Sequence, residues 1–170
     1  IRSASIRPFR NRGLGSLSGR FVHHSGIVLS IVEESKKHRF LEHSIDLARR
    51  AWGMTHPNPM VGAVIVEAGE IVAEGYHQKA GNPHAEVEAF KNLDRKPLPG
   101  ASMLISLEPC STTGRTPPCV EAIIGSGIKT VFVGALDPNP AHAGRGLEIL
   151  REAGVQVEMA KEALQQEASR

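Results

Sequence analysis

The sequence predicts an α/β domain in which a mixed sheet of about five strands is covered by helices on both faces. Three observations carry that reading. Short β-rich runs alternate with amphipathic segments along most of the chain, and the first two runs are separated only by a turn. Each later run follows a helical segment, which requires crossover connections and a largely parallel sheet beyond the hairpin. At 170 residues the chain holds one such unit with a full hydrophobic core.

The elements follow in order. Between Glu33 and Gly53, Leu41, Ile45, Ala48 and Trp52 recur at steps of four, three and four, the buried stripe of an amphipathic helix. Met60 to Val66 and Ile71 to Tyr76 are β-rich and flank Glu67-Ala68-Gly69-Glu70, so they read as a hairpin. Asn82-Pro83 offers an N-cap and a first-turn proline ahead of Ala85, Ala89, Phe90 and Leu93, which places a second helix at His84 or beside it. Ser102 to Leu107 is a strand that breaks at Glu108-Pro109, and Cys119 to Ile124 is a helix ending at Gly125 or Gly127. A buried strand over Thr130 to Ala135, a helix over Gly146 to Ala153, a strand over Val155 to Glu158 and a helix from Lys161 complete the chain.

Composition removes several functional classes. Hydrophobic residues at 41% and charged residues at 22% are globular values, and no apolar run reaches the roughly 18 residues that cross a bilayer, so no membrane role is expected. The net charge is +2, but residues 1–32 hold five arginines (Arg2, Arg7, Arg10, Arg12 and Arg20) and no acid, leaving fifteen bases against eighteen acids in the remainder. With an acidic body and only seven aromatics in the whole chain, the protein lacks both the basic surface and the stacking platforms that hold nucleic acid. The acid-free start has the composition of an organellar targeting segment, yet it has no initial Met and carries the apolar patch Ile27 to Val32. It is read as a basic extension, residues 1–35, ahead of a domain over 36–170. No secretory signal is evident, and a reducing cytoplasm is the expected compartment.

The two cysteines lie beside prolines in a loop rich in Gly, Ser and Thr, which favours chemistry over core packing. His84-Ala85-Glu86 opens a helix, Cys110 ends a strand and Cys119 opens the next helix, so one imidazole and two thiolates sit at element ends. A structural zinc usually has four protein ligands, whereas a catalytic zinc keeps a position for water, so a one-His, two-Cys set points to an open site. The structural-zinc alternative would want a fourth Cys or His in the same loop, and none lies between Cys110 and Cys119. Residues two apart on a regular helix do not share a face, so His84 and Glu86 can approach one metal only if His84 stands at the helix start. A carboxylate there can take a proton from metal-activated water and pass it on, the arrangement of hydrolytic deamination. His23, His24, His38, His43, His56 and His142 show no partner pattern.

His84-Ala85-Glu86 with Pro109-Cys110 and Cys119 resembles the cytidine-deaminase-like zinc deaminases, although eight residues separate the cysteines where most members have two. Thr55-His56-Pro57-Asn58-Pro59-Met60-Val61-Gly62, Leu107-Glu108-Pro109-Cys110, Gly114-Arg115-Thr116-Pro117-Pro118-Cys119 and Asp137-Pro138-Asn139-Pro140 resemble, more narrowly, the deaminase domain of the bifunctional riboflavin-biosynthesis deaminase/reductase family, over roughly 42–157. The resemblance implies a three-layer α/β/α cytidine-deaminase-like fold, Zn2+ held by His84, Cys110 and Cys119, and Glu86 as the catalytic proton shuttle. It implies a hydrolase acting on a cyclic amidine C–N bond, with 2,5-diamino-6-ribosylamino-4(3H)-pyrimidinone 5′-phosphate as substrate. Asn58, His77, Arg115 and Asn139 match positions expected near that substrate, and a guanidinium at 115 suits its phosphate. The family usually has His followed by His or Tyr after Cys-Ser, where this chain has Thr112-Thr113, which keeps another nucleobase or nucleotide as the alternative substrate. A separate reductase is expected for the following step, and a homo-oligomer is possible.

Overall fold

The computed structural model describes residues 22–113, 117–140 and 142–169. Helix α1 spans Val22–Arg49 and so starts well before Glu33, where the apolar stripe suggested it would. Leu41, Ile45, Leu47 and Ala48 are buried on it, and the first three pack with Val64, Val66 and Leu104 of the sheet.

Trp52 departs from the expected stripe: it lies beyond the helix and is 73% exposed. The cause is a tightened end. Arg50 N–H, Ala51 N–H and Trp52 N–H donate to Leu47 O, Ala48 O and Arg49 O, each three residues back. At three residues per turn, Ala51 falls over Ala48 and is buried, while Trp52 is turned about 120° away.

Strands β1 (Gly62–Glu67) and β2 (Glu70–Tyr76) pair antiparallel up to Glu67 opposite Glu70. Ala68 and Gly69 join them with φ of 50° and 79°, the two positive values of a type I′ hairpin turn. Helix α2 (Ala85–Leu93), strand β3 (Ser102–Leu107), helix α3 (Cys119–Ser126), strand β4 (Thr130–Ala135), helix α4 (Arg145–Glu152), strand β5 (Gln156–Met159) and helix α5 (Glu162–Ala168) follow.

The sheet order is β2-β1-β3-β4-β5. The expected parallel arrangement holds for β3, β4 and β5, whereas β1 is antiparallel to both of its neighbours. Helices α2, α3 and α4 pack their apolar residues with Ala63, Ile65, Met103, Ile105, Val131 and Val133 on one face, and α1 covers the other face. The result is the three-layer build. Among the described residues no helix is long and apolar enough to cross a membrane.

Candidate metal and catalytic site

Because β1 runs against β3, its amino end lies at the same rim of the sheet as the carboxyl ends of β2, β3 and β4. The loops and helix starts at that rim carry the reactive side chains. Asn82-Pro83 does not cap α2. His84 does so by position, in extended conformation (φ −72°, ψ 162°), with no side-chain capping bond. The imidazole is turned instead to the cysteines, and the non-helical backbone at residue 84 is what lets His84 and Glu86 serve one place despite their spacing.

His84 Nδ1 lies 3.5 Å from Cys110 Sγ and 3.3 Å from Cys119 Sγ, and the three ligand atoms lie within 4.8 Å of one another. Zinc bonded at about 2.3 Å to sulfur and about 2.0 Å to nitrogen sets tetrahedral N···S edges of about 3.5 Å, so the donor set fits that ion without rearrangement. Among the described residues these three form the one such cluster.

The N–H of Cys119, at the start of α3, donates to Cys110 Sγ at 3.3 Å. The Cys119 thiol, then the facing imidazole and that N–H, favour the thiolate against the effect of burial, and the Cys110 pKa falls to about 4. The Cys119 thiol is held up, because it donates to Cys110 and is buried. The pair thus holds one proton that a divalent cation would displace. Hydrogen bonding to Cys110 raises the His84 pKa. Glu86, on the first turn of α2, is 2% exposed, and burial pushes its carboxyl above the usual carboxylate range.

Gly75 explains how α2 comes so close. A Cβ there would run into Ala85 O and Ala89 N, so the helix lies directly on β2. Gly75→Ala is expected to cost about 1–3 kcal/mol by overpacking, and to weaken zinc retention, since α2 carries His84 and Glu86. Calorimetry with metal analysis checks both, and a parental melting temperature with parental zinc would show that α2 retreats freely.

Of the expected substrate residues, the structure brings Asn58 and His77 together. Asn58 is exposed on the loop before β1, with Nδ2 3.4 Å from His77 Nε2. His77 follows β2, is 2% exposed, and its Nδ1 lies 3.1 Å from Pro83 O. Its ring meets the His84 ring edge-on at 5.2 Å, so it also buttresses a ligand. Asn139 lies on the exposed turn after β4, and Arg115 lies outside the described residues. Sequence reasoning passed over Glu108, a buried carboxylate between β3 and Cys110. An acid directly before Pro-Cys at a strand end was the available signal.

An α/β/α domain with an imidazole and one cysteine at two helix starts, a second cysteine just beyond a strand end, and a carboxyl group on the first turn beside the imidazole has the build of the zinc-dependent deaminases. The family described as the cytidine and deoxycytidylate deaminase zinc-binding region matches residues 34–135. The chain belongs to that family.

Among its relatives, riboflavin biosynthesis protein RibD of Aquifex aeolicus is 52% identical over 120 residues, which are 71% of this chain and 33% of the relative. The structure of Acinetobacter baumannii RibD superposes with a TM-score of 0.75 at 41% identity, covering 80% of this chain and 37% of the other. A diaminohydroxyphosphoribosylaminopyrimidine deaminase/5-amino-6-(5-phosphoribosylamino)uracil reductase from Thermotoga maritima superposes with a TM-score of 0.73 at 42% identity, over 81% of this chain and 39% of the other. The chain therefore spans about a third of the length of the relatives it matches.

Proposed function

We propose that this chain removes the 2-amino group of 2,5-diamino-6-ribosylamino-4(3H)-pyrimidinone 5′-phosphate by hydrolysis, a step of riboflavin biosynthesis. The observation that carries the reading is the meeting of His84 Nδ1, Cys110 Sγ and Cys119 Sγ beside the buried Glu86. The relatives' names support the substrate class.

Zinc held by these three side chains supplies the Lewis acidity that makes water nucleophilic near neutral pH. In the reaction the oxygen of one water joins the ring carbon and the carbon–nitrogen bond breaks. One proton of that water ends on the departing ammonia and the other on the ring nitrogen. Glu86 is the group that takes and returns protons, and its burial keeps it from exchanging them with bulk water. Asn58 and His77 hold the pyrimidine edge, Asn139 is a further substrate contact, and Arg115 takes the phosphate. The domain acts in the cytoplasm on a small molecule, and another domain or chain carries out the reduction that follows.

Ammonia release from phosphorylated and unphosphorylated diaminopyrimidines, cytosine and guanine tests the assignment. The phosphorylated ribosylamino-pyrimidine is expected to be preferred. Arg115→Ala is expected to cost about 1.5–3 kcal/mol of transition-state binding for it, the range of a hydrogen bond to a charged group, and almost nothing for the dephosphorylated analogue. Equal losses on both would show that Arg115 shapes the loop. A strong preference for an unphosphorylated base would move the assignment to another deaminase.

A further inference from the structure

Glu108 stands outside the expected ligand set, yet it is 6% exposed and both of its oxygens are occupied. Oε2 accepts from Asp137 N–H at 3.2 Å and from Gly144 N–H at 2.8 Å, and Oε1 accepts from Gly146 N–H at 2.8 Å. Its own N–H donates to Ala135 O at the end of β4. One carboxylate therefore holds both feet of the connection between β4 and α4. Between the feet the turn is bonded to itself: Asn139 N–H donates to Asp137 Oδ1 at 2.8 Å, and His142 N–H and Ala143 N–H donate to Asn139 O. The start of α4 is seated equally closely, since a Cβ at Gly146 would run into Pro109 O and lie 3.2 Å from Glu108 Oε1.

We propose that Glu108 is a positioning residue that clasps the β4–α4 connection at both feet and so sets the Asn139 turn at a fixed distance from Cys110, two residues along the same strand end. With three N–H donors around it, the carboxylate acts as an acceptor and stands apart from the proton transfers assigned to Glu86. An amide cannot replace it, because the NH2 of a glutamine must face at least one of the three donors. The part of the proposal that concerns substrate binding rests on the deaminase reading above, whereas the clasp itself is tested without activity.

The test uses the zinc-loaded protein and Glu108→Gln. Amide hydrogen exchange at Asp137, Gly144 and Gly146 is expected to speed up about tenfold or more, the equivalent of one lost charge-assisted hydrogen bond, with zinc still bound at the parental level. With the phosphorylated diaminopyrimidine, KM is expected to rise about tenfold while kcat stays within about twofold, the signature of lost positioning at the ground state. A merely structural acid would lower the melting temperature and leave KM alone. Asn139→Ala is expected to cost less in the E108Q background than in the parent, because both changes disable the same turn. If E108Q fails to fold, Gly144→Ala loosens one foot from the loop side, where φ is +84°, and the same rise in KM is expected. Parental exchange at the three amides, or faster exchange with parental KM, would overturn the proposal. A parent protein that deaminates none of the pyrimidines would count against the function reading, and the exchange measurement would still judge the clasp.

Discussion

Glu86→Gln is expected to keep its zinc and lose at least about 10²-fold in turnover, the usual cost of removing a general acid or base. The amide fills the same volume in the first turn of α2 and ligates nothing among His84, Cys110 and Cys119, so the metal set is left whole. What it lacks is an oxygen that can accept and release a proton. Burial is what makes the loss so large: at 2% exposure no bulk water stands in for the missing carboxylate. Metal analysis beside steady-state kinetics reads the two consequences separately. Parental turnover would reduce Glu86 to a first-turn acid that favours the helix dipole.

Cys119→Ser is expected to abolish metal binding and activity together. Cys119 is 1% exposed at the first position of α3 and contributes one of three ligand atoms, so its loss leaves His84 and Cys110 alone. A serine hydroxyl does not become an anionic ligand at neutral pH, and a soft thiolate is replaced by a harder, neutral oxygen. Zinc content after dialysis against a weak chelator is expected to fall from one per chain to near zero. The melting temperature falls with it, because a bound metal at a hundred times its Kd contributes about 2.7 kcal/mol to the folded state. Retention of one zinc per chain would show that the ligand set lies elsewhere. The two variants divide the site: Glu86→Gln separates chemistry from metal, and Cys119→Ser removes both.

Much of the site was legible because ligand chemistry is carried by residue type. Two thiols and an imidazole at element ends, with a carboxylate two residues from the imidazole, narrow the chemistry before any coordinates are known. The helix-start requirement for His84 was also legible, and the extended backbone at residue 84 meets it. The cap itself was misplaced, because Asn82-Pro83 has cap-forming residues but the chain turns into α2 only when the histidine has been aimed at the cysteines. Glu108 was hidden for another reason. Its partners are the backbone N–H groups of Asp137, Gly144 and Gly146, and a backbone donor has no sequence signature.

The sequence by itself determined the order and kind of the elements, the hairpin at Ala68-Gly69, and the residues able to hold zinc, because periodicity, turn chemistry and ligand type are local properties. Only the tertiary structure decided that β1 lies between β2 and β3, antiparallel to each, and that this brings the Asn58 loop to the rim carrying Cys110. It also decided that Trp52 faces outward and that one carboxylate holds a loop 29 to 38 residues away. The stripe of a helix reports that a face is buried, and it is silent on which strand lies beneath it, how the last turn tightens, and which distant amide arrives at a given oxygen. Those are settled by the packing of all the elements at once.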